Sequence, residues 1–267
     1  MRSKAPVTMS LSSGKGGVGK TFIAINLAAC LVQLGKKVLM IDCDLGLANV
    51  DIMLGLNPTH TLKDIAFEEM TAREVLLRTQ GGFDLIAASS GVKEMGQLLL
   101  ENIDRIKTAI QEIAGDYDYV ILDTGAGISE TVLQFNLFAD RNIIVLNREL
   151  TSLTDAYATI KVIFQMFGKN RFDLIINSAP HAEEALRIFN HIDSICRRFL
   201  GFSLNYLGFI SHDESVPRSI MKQTILSLAF PQSPPGVNCT ALARKINESF
   251  LDRPESGQKI QADGPVI

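Results

Sequence analysis

One short stretch near the N-terminus constrains the fold more than any other. Ser13–Thr21 reads SGKGGVGKT, and Gly14, Gly19, Lys20 and Thr21 stand at the spacing of a phosphate loop, enclosing Lys15, Gly16, Gly17 and Val18. Its surroundings fit. The apolar run Val7–Ser12 precedes it, and a helical pattern follows through Phe22, Ile23, Ile25, Leu27, Leu31 and Leu34 to a C-capping Gly35. Glycines let the backbone curl so that successive N–H groups converge on phosphate oxygens, and the helix N-terminus adds partial positive charge. Lys20 can reach the β- and γ-phosphates, and the Thr21 hydroxyl can face Mg²⁺. A strand, a glycine loop and a helix in this order commit the chain to an α/β fold.

The remaining sequence repeats that alternation. Strands are expected at Val38–Asp42, Phe83–Ala88, Tyr119–Asp123, Asn142–Leu146, Leu174–Asn177 and Tyr206–Ile210. Runs such as KVLMID, YVILD and NIIVL are apolar throughout, as befits strands covered on both faces. Later helices are expected over Gly96–Ala114, Leu153–Phe167, Ala182–Phe199 and Thr240–Leu251, with Phe230–Asn238 (FPQSPPGVN) as a loop before the last. The fold class is therefore α/β, a doubly wound, mostly parallel sheet of seven to eight strands with helices on both faces. No linker or repeat divides the chain, so residues 1–253 read as a single domain and 254–267 as a disordered tail.

Composition narrows the function. A net charge of −3 gives no global electrostatic case for nucleic acid. Cys30, Cys43, Cys196 and Cys239 lack CxxC spacing, so they read as buried hydrophobes in a reducing compartment rather than as a metal or redox pair. There is neither a signal peptide nor a run of 18 apolar residues, and a cytoplasmic location is expected.

Lys15 is a second lysine in a loop that needs one. Spacing alone leaves two readings open: a solvated surface cation, or a cation that reaches phosphates held by a facing subunit. Acids at other strand ends complete the pattern. Asp42 ends the second strand, with Asp44 and Asn49 beyond it, and Asp123 ends YVILD. In an open parallel sheet ligands bind at the carboxyl ends of the strands, so these carboxylates face the loop.

KGGVGKT resembles the deviant Walker A motif of the MinD/ParA ATPases, P-loop NTPases of the SIMIBI type. The resemblance covers roughly residues 7 to 250. It implies ATP/ADP and Mg²⁺ as ligands, with ATP controlling formation of a homodimer. It implies that Lys15 acts in trans on the partner's ATP, that Asp42 and Asp123 with Thr21 serve the metal, and that Asp44 positions the hydrolytic water. Gly127 falls in the second switch segment. LIINSAP resembles the segment whose asparagine reads adenine, pointing to Asn177. YLGFISHD resembles the later adenine-side segment, pointing to Asp213, with Ser211 in place of the usual proline.

Within that family LTSLTDAYATIKVI (Leu150–Ile163) and DLGLANVDIMLGLNPTHTLKDI (Asp44–Ile65) are similar to the flagellar-number ATPases FlhG, FleN and YlxH. This implies a slow ATPase switch that regulates flagellar number or placement, with a FlhF-like GTPase and flagellar switch or transcriptional regulators as partners. The alternatives are a MinD-like division-site regulator and a ParA-like DNA-partitioning ATPase. An iron–sulfur carrier of the same fold is disfavoured by the missing CxxC. Many FlhG proteins begin with a DQAxxLR extension that stimulates FlhF; the residues before the first strand here read MRSKAPVT, so activation by that route is not expected. Thr240–Arg253 carries an amphipathic stripe, Leu242, Ile246 and Phe250, with Arg244, Lys245 and Arg253 as cations. It reads either as a helix packed on the sheet or as a reversible contact with the inner face of the cell membrane.

Overall fold

A computed structural model of the chain describes residues 5–45, 49–68, 70–88 and 100–251. Eight strands form one sheet: β1 (Val7–Ser13), β2 (Val38–Cys43), β3 (Leu77–Arg78), β4 (Asp84–Ile86), β5 (Tyr119–Ala126), β6 (Arg141–Leu146), β7 (Phe172–Ala179) and β8 (Asn205–Ser211). Their order is β3-β4-β2-β5-β1-β6-β7-β8, parallel except at the β3–β4 edge. Ten helices among the described residues connect them: α1 (Lys20–Gln33), α2 (Val50–Leu54), α3 (Leu62–Phe67), α4 (Leu100–Ala114), α5 (Glu130–Phe138), α6 (Leu150–Phe167), α7 (Ala182–Leu200), α8 (Ser215–Met221), α9 (Leu226–Ala229) and α10 (Pro234–Leu251).

The alternation of side chains along a strand divides the core. Met9 and Leu11 of β1, with Met40 of β2 and Ile121 of β5, pack against α1 and α10 on one face. Leu39, Ile41, Val120 and Leu122 point the other way, onto α3 and α4. Ile144, Leu174 and Ile176 meet α6 and α7. Because both faces are covered, β2 and the first half of β5 are apolar up to Asp42 and Asp123, whereas β1 alternates apolar residues with Thr8, Ser10 and Ser12.

Helix α1 ends as its sequence dictates. Gly35 takes φ 78°, and the Gly35 and Lys36 N–H groups donate to the Val32 and Leu31 carbonyls at 2.8 and 3.1 Å, a Schellman stop. Three expectations need correction. Helix α10 begins at Pro234, inside the segment read as a loop, because proline suits the first helical turn, where an N–H has no partner. Helices α5 and α6 also begin earlier than the patterns indicate or go unread: α5 follows a Ser129 cap, and α6 starts at Leu150. The two-residue β3 is too short for periodicity to register. The expected start of α4 at Gly96 and the tail 254–267 lie outside the described residues.

The amphipathic stripe on α10 faces inward: Leu242 and Ile246 belong to the core beside α1, and Lys245 donates to the Tyr206 carbonyl of β8. Packing on the sheet accounts for that stripe as far as it is described, whereas Phe250 and Arg253 are not. No helix among the described residues is long and apolar enough to cross a membrane.

Candidate nucleotide site

The phosphate loop bridges β1 and α1 at the carboxyl edge of the sheet, beside the ends of β2, β5, β6 and β7. It borders a cleft of about 650 Å³ whose lining includes Gly16–Thr21, Asp44, Asn49 and Gly125. Gly19 precedes the helix with φ 88°, and a Cβ there would run into the Asn177 amide. Only glycine satisfies both demands.

The two lysines lie apart. Lys20 is 6% exposed and donates to Asp123 Oδ1 at 2.7 Å. Lys15 reaches over the exposed rim, where its Nζ meets Glu149 Oε2 at 2.5 Å and Thr151 Oγ1 at 3.3 Å. That hydrogen bond, and next the ammonium charge, hold the Glu149 carboxyl below the usual range. Glu149 lies immediately before α6, just past the end of β6, and sequence reasoning passed it over. Its one sequence signal is a strand-end position.

The β2–β5 register sets Asp42 directly beside Asp123, both buried. Burial, and then the Asp123 charge, raise the Asp42 carboxyl to about 7, against the Asp44 and Val50 N–H groups and Lys20, which favour its ionised form. Asp42 Oδ1 accepts from Asp44 N at 3.0 Å, and Oδ2 from Asn49 N and Val50 N at 3.3 Å each. Asp42 thus pins the start of the loop that carries Asp44. Asp44 itself lies against Gly125, across the cleft from the phosphate loop. Asp123 Oδ2 is buried with no hydrogen-bond partner. Gly127 N donates to the Ser13 carbonyl at 2.8 Å, tying the turn after β5 to the root of the phosphate loop.

A second cavity, of about 310 Å³, shares Gly17–Gly19 with the first and extends past Asn177 and Asp213. Asn177 Nδ2 donates to the Val18 carbonyl at 2.6 Å, and its Oδ1 accepts from Ser178 N at 2.9 Å. It braces the phosphate loop, a role its position in the sequence did not announce. Asp213 Oδ1 accepts from Ser215 N at 2.8 Å, the first residue of α8, and the Ser215 contacts hold its carboxyl low. All the expected site residues thus gather at one edge of the sheet, while residues 46–48 of the first switch lie outside the described residues.

Comparison with known proteins agrees. The AAA domain family matches residues 7–176. Antiactivator FleN of Pseudomonas aeruginosa is 38% identical over 92% of this chain and 89% of its own length. Flagellum site-determining protein YlxH of Helicobacter pylori is 30% identical over 94% and 86%. Among solved structures, the septum site-determining protein MinD complexed with Mg-ADP, from Pyrococcus horikoshii, superposes with a TM-score of 0.78 at 22% identity, over 92% of this chain and 97% of that one. A phosphate loop with an additional rim lysine, paired buried aspartates on neighbouring strands and these relatives lead to one assignment: the chain belongs to the MinD/ParA family of ATPases, on the side that holds FleN and YlxH.

Proposed function

We propose that this chain is an ATP-dependent switch: two copies close face to face around ATP, slow hydrolysis reopens them, and the cycle regulates flagellar number or placement. The observation that carries the reading is Lys15. Lys20 already serves the cradle from within, and Lys15 stands outside it on the exposed rim, held by a carboxylate. A cation in that place meets phosphate when a facing copy presents it.

In this reading the backbone of Gly14–Thr21 holds the phosphates, Lys20 reaches the β- and γ-groups, and Lys15 crosses to the partner's nucleotide. Asp44 orients the attacking water. The donor set suits Mg²⁺: hard oxygen ligands are available from Thr21, Asp42 and Asp123, and the orphaned Asp123 Oδ2 is the kind of atom a divalent cation satisfies. Mg²⁺ would spread positive charge over the phosphate oxygens. Asn177 and Asp213 flank the base. The likeness to FleN and YlxH supports the flagellar role, with a FlhF-like GTPase and flagellar switch or transcriptional regulators as partners.

Gel filtration with ATP tests the switch. Lys20→Ala should bind no nucleotide, Lys15→Ala should stay monomeric, and Asp44→Ala should hold a persistent dimer. A Lys15→Ala protein that dimerises and hydrolyses ATP normally would refute the trans role. Deleting the gene separates the process: altered flagellar number supports this reading, and a displaced septum favours a MinD-like regulator.

A further inference from the structure

Beside the root of the phosphate loop lies a buried polar cluster that the phosphate chemistry does not use. From Leu11 to Ser13 β1 advances two residues while β5 advances three, from Asp123 to Ala126, so the register slips at Thr124 and Gly125. Such bulges re-aim side chains and are common beside active sites. Here the slip follows Asp123 directly. Thr124 Oγ1 lies 2.8 Å from Ser12 Oγ, 3.0 Å from the Leu11 carbonyl oxygen and 3.2 Å from that of Gly125. Ser12 Oγ lies 2.9 Å from Asn136 Oδ1 on α5. Thr124, Ser12 and Asn136 are all fully buried.

The hydrogens can be counted. Thr124 and Ser12 carry one hydroxyl hydrogen each, and Asn136 Oδ1 only accepts. Two oxygens 2.8 Å apart need one of those hydrogens between them. The pair therefore has two settings. When Thr124 donates to Ser12, Ser12 donates to Asn136, and the two carbonyls go without the Thr124 hydrogen. When Ser12 donates to Thr124, Thr124 donates to the Leu11 or Gly125 carbonyl, and Asn136 Oδ1 keeps its donors Ser10 and Asn142. Each setting makes two hydroxyl hydrogen bonds, so their number favours neither.

The second setting holds the seat of Asp44. A Cβ on Gly125 would stand 3.5 Å from Asp44 Oδ1, so the Asp44 carboxylate rests on the Gly125 backbone at the edge of the cleft. We infer that Thr124 is a positioning residue for hydrolysis: its hydroxyl fixes Gly125 beneath Asp44, in competition with Ser12 for the same hydrogen. The inference rests on the reading of Asp44 as the residue that orients water, and deepens it.

ATP turnover and ADP titrations of full-length variants test it. Thr124→Val keeps the shape and removes the hydroxyl. It should lower kcat about three- to tenfold, the worth of one hydrogen bond, and leave ADP affinity unchanged. Thr124→Ser restores the hydroxyl and should recover the wild-type kcat. Ser12→Ala leaves Thr124 only carbonyls to donate to, and should slow turnover less than Thr124→Val does. A Thr124→Val protein with wild-type kcat, or one that loses ADP affinity along with kcat, overturns the inference. So does a Thr124→Ser protein as slow as Thr124→Val, or a Ser12→Ala protein at least as slow. Asp44→Ala separates the two failures. If it hydrolyses ATP as the wild type does, the reading of Asp44 falls and this inference with it; normal turnover by Thr124→Val beside an inactive Asp44→Ala overturns the inference alone.

Discussion

The carboxylates Asp42 and Asp123, paired across β2 and β5, make the nucleotide-free protein sensitive to pH in a calculable direction. Asp42 is raised from 3.8 to about 7, chiefly by burial and secondly by Asp123. A carboxyl whose folded value exceeds its unfolded one opposes folding as pH rises: the penalty is absent below the unfolded value and complete above the folded one. At about 1.4 kcal/mol per unit, it approaches about 4 kcal/mol at pH 8 and about 2 kcal/mol at pH 5. Repulsion is shared with Asp123, so we assign roughly half of each figure to Asp42 alone. Asp42→Asn removes the charge but offers one acceptor oxygen where Asp42 uses two, which costs about 1 kcal/mol. The Asn variant, stripped of nucleotide and metal, should therefore be more stable than wild type by about 1 kcal/mol at pH 8 and about equal to it at pH 5. For a chain near this size that is a gain of about 2–4 °C in Tm at pH 8. Thermal unfolding of both proteins at the two pH values measures it. An Asn variant less stable than wild type at pH 8, or a difference that does not change with pH, would refute the reasoning.

Further consequences follow from the same geometry. Gly19→Ala combines positive φ with a clash at Asn177, and should weaken ADP about tenfold or more in a binding titration, the equivalent of roughly 1–3 kcal/mol of local strain. Asn136 Oδ1 accepts from Ser10 and Ser12 at 2.9 Å and from Asn142 at 3.0 Å, all buried, so Asn136→Ala should lower stability in urea by about 3 kcal/mol or more. Lys169 Nζ donates to the Asn136, Leu137 and Ala139 carbonyls at 2.6–2.9 Å and caps α5, and Lys169→Met should cost about 1–3 kcal/mol by thermal unfolding. Glu149→Gln frees Lys15 and should shift the ATP titration of dimerisation to lower ATP, an effect that gel filtration should find reduced in high salt.

What the sequence made legible was local. The phosphate loop, the strand before it, and the acids that follow the apolar runs of β2 and β5 are each contained in fewer than ten residues, and the physics that gives them meaning acts within that span. Runs such as VLMI of β2 and YVIL of β5 announce strands covered on both faces, whereas the central β1 reads as an alternation with Thr8, Ser10 and Ser12. The Lys15–Glu149 pair spans 134 residues, and no periodicity connects the two. Asn177 was legible as a residue at the right strand end, but its commitment to Val18 depends on how closely β7 approaches the loop. The stripe on α10 shows the converse limit. A pattern of Leu242 and Ile246 has the same form whether the helix meets lipid or β8 and α1, and only packing decides.

The two lysines of SGKGGVGKT differ less in chemistry than in what each must give up. Lys20 is buried against Asp123, and a buried pair broken by removal of one partner leaves a costly charge behind. Incoming phosphate can take Lys20 only while something else compensates Asp123, which links phosphate and divalent cation as a joint requirement of the cradle. Lys15 is 40% exposed at its side chain and Glu149 54%, and an exposed pair adds little and is screened by salt. Lys15 can therefore leave Glu149 for a stronger acceptor without stranding a buried charge. In the switch proposed above, a loop with one lysine held deep and one held loosely would separate two events, loading of its own nucleotide and engagement of a neighbour's. Such a separation is what a switch requires and what a simple hydrolase does not need.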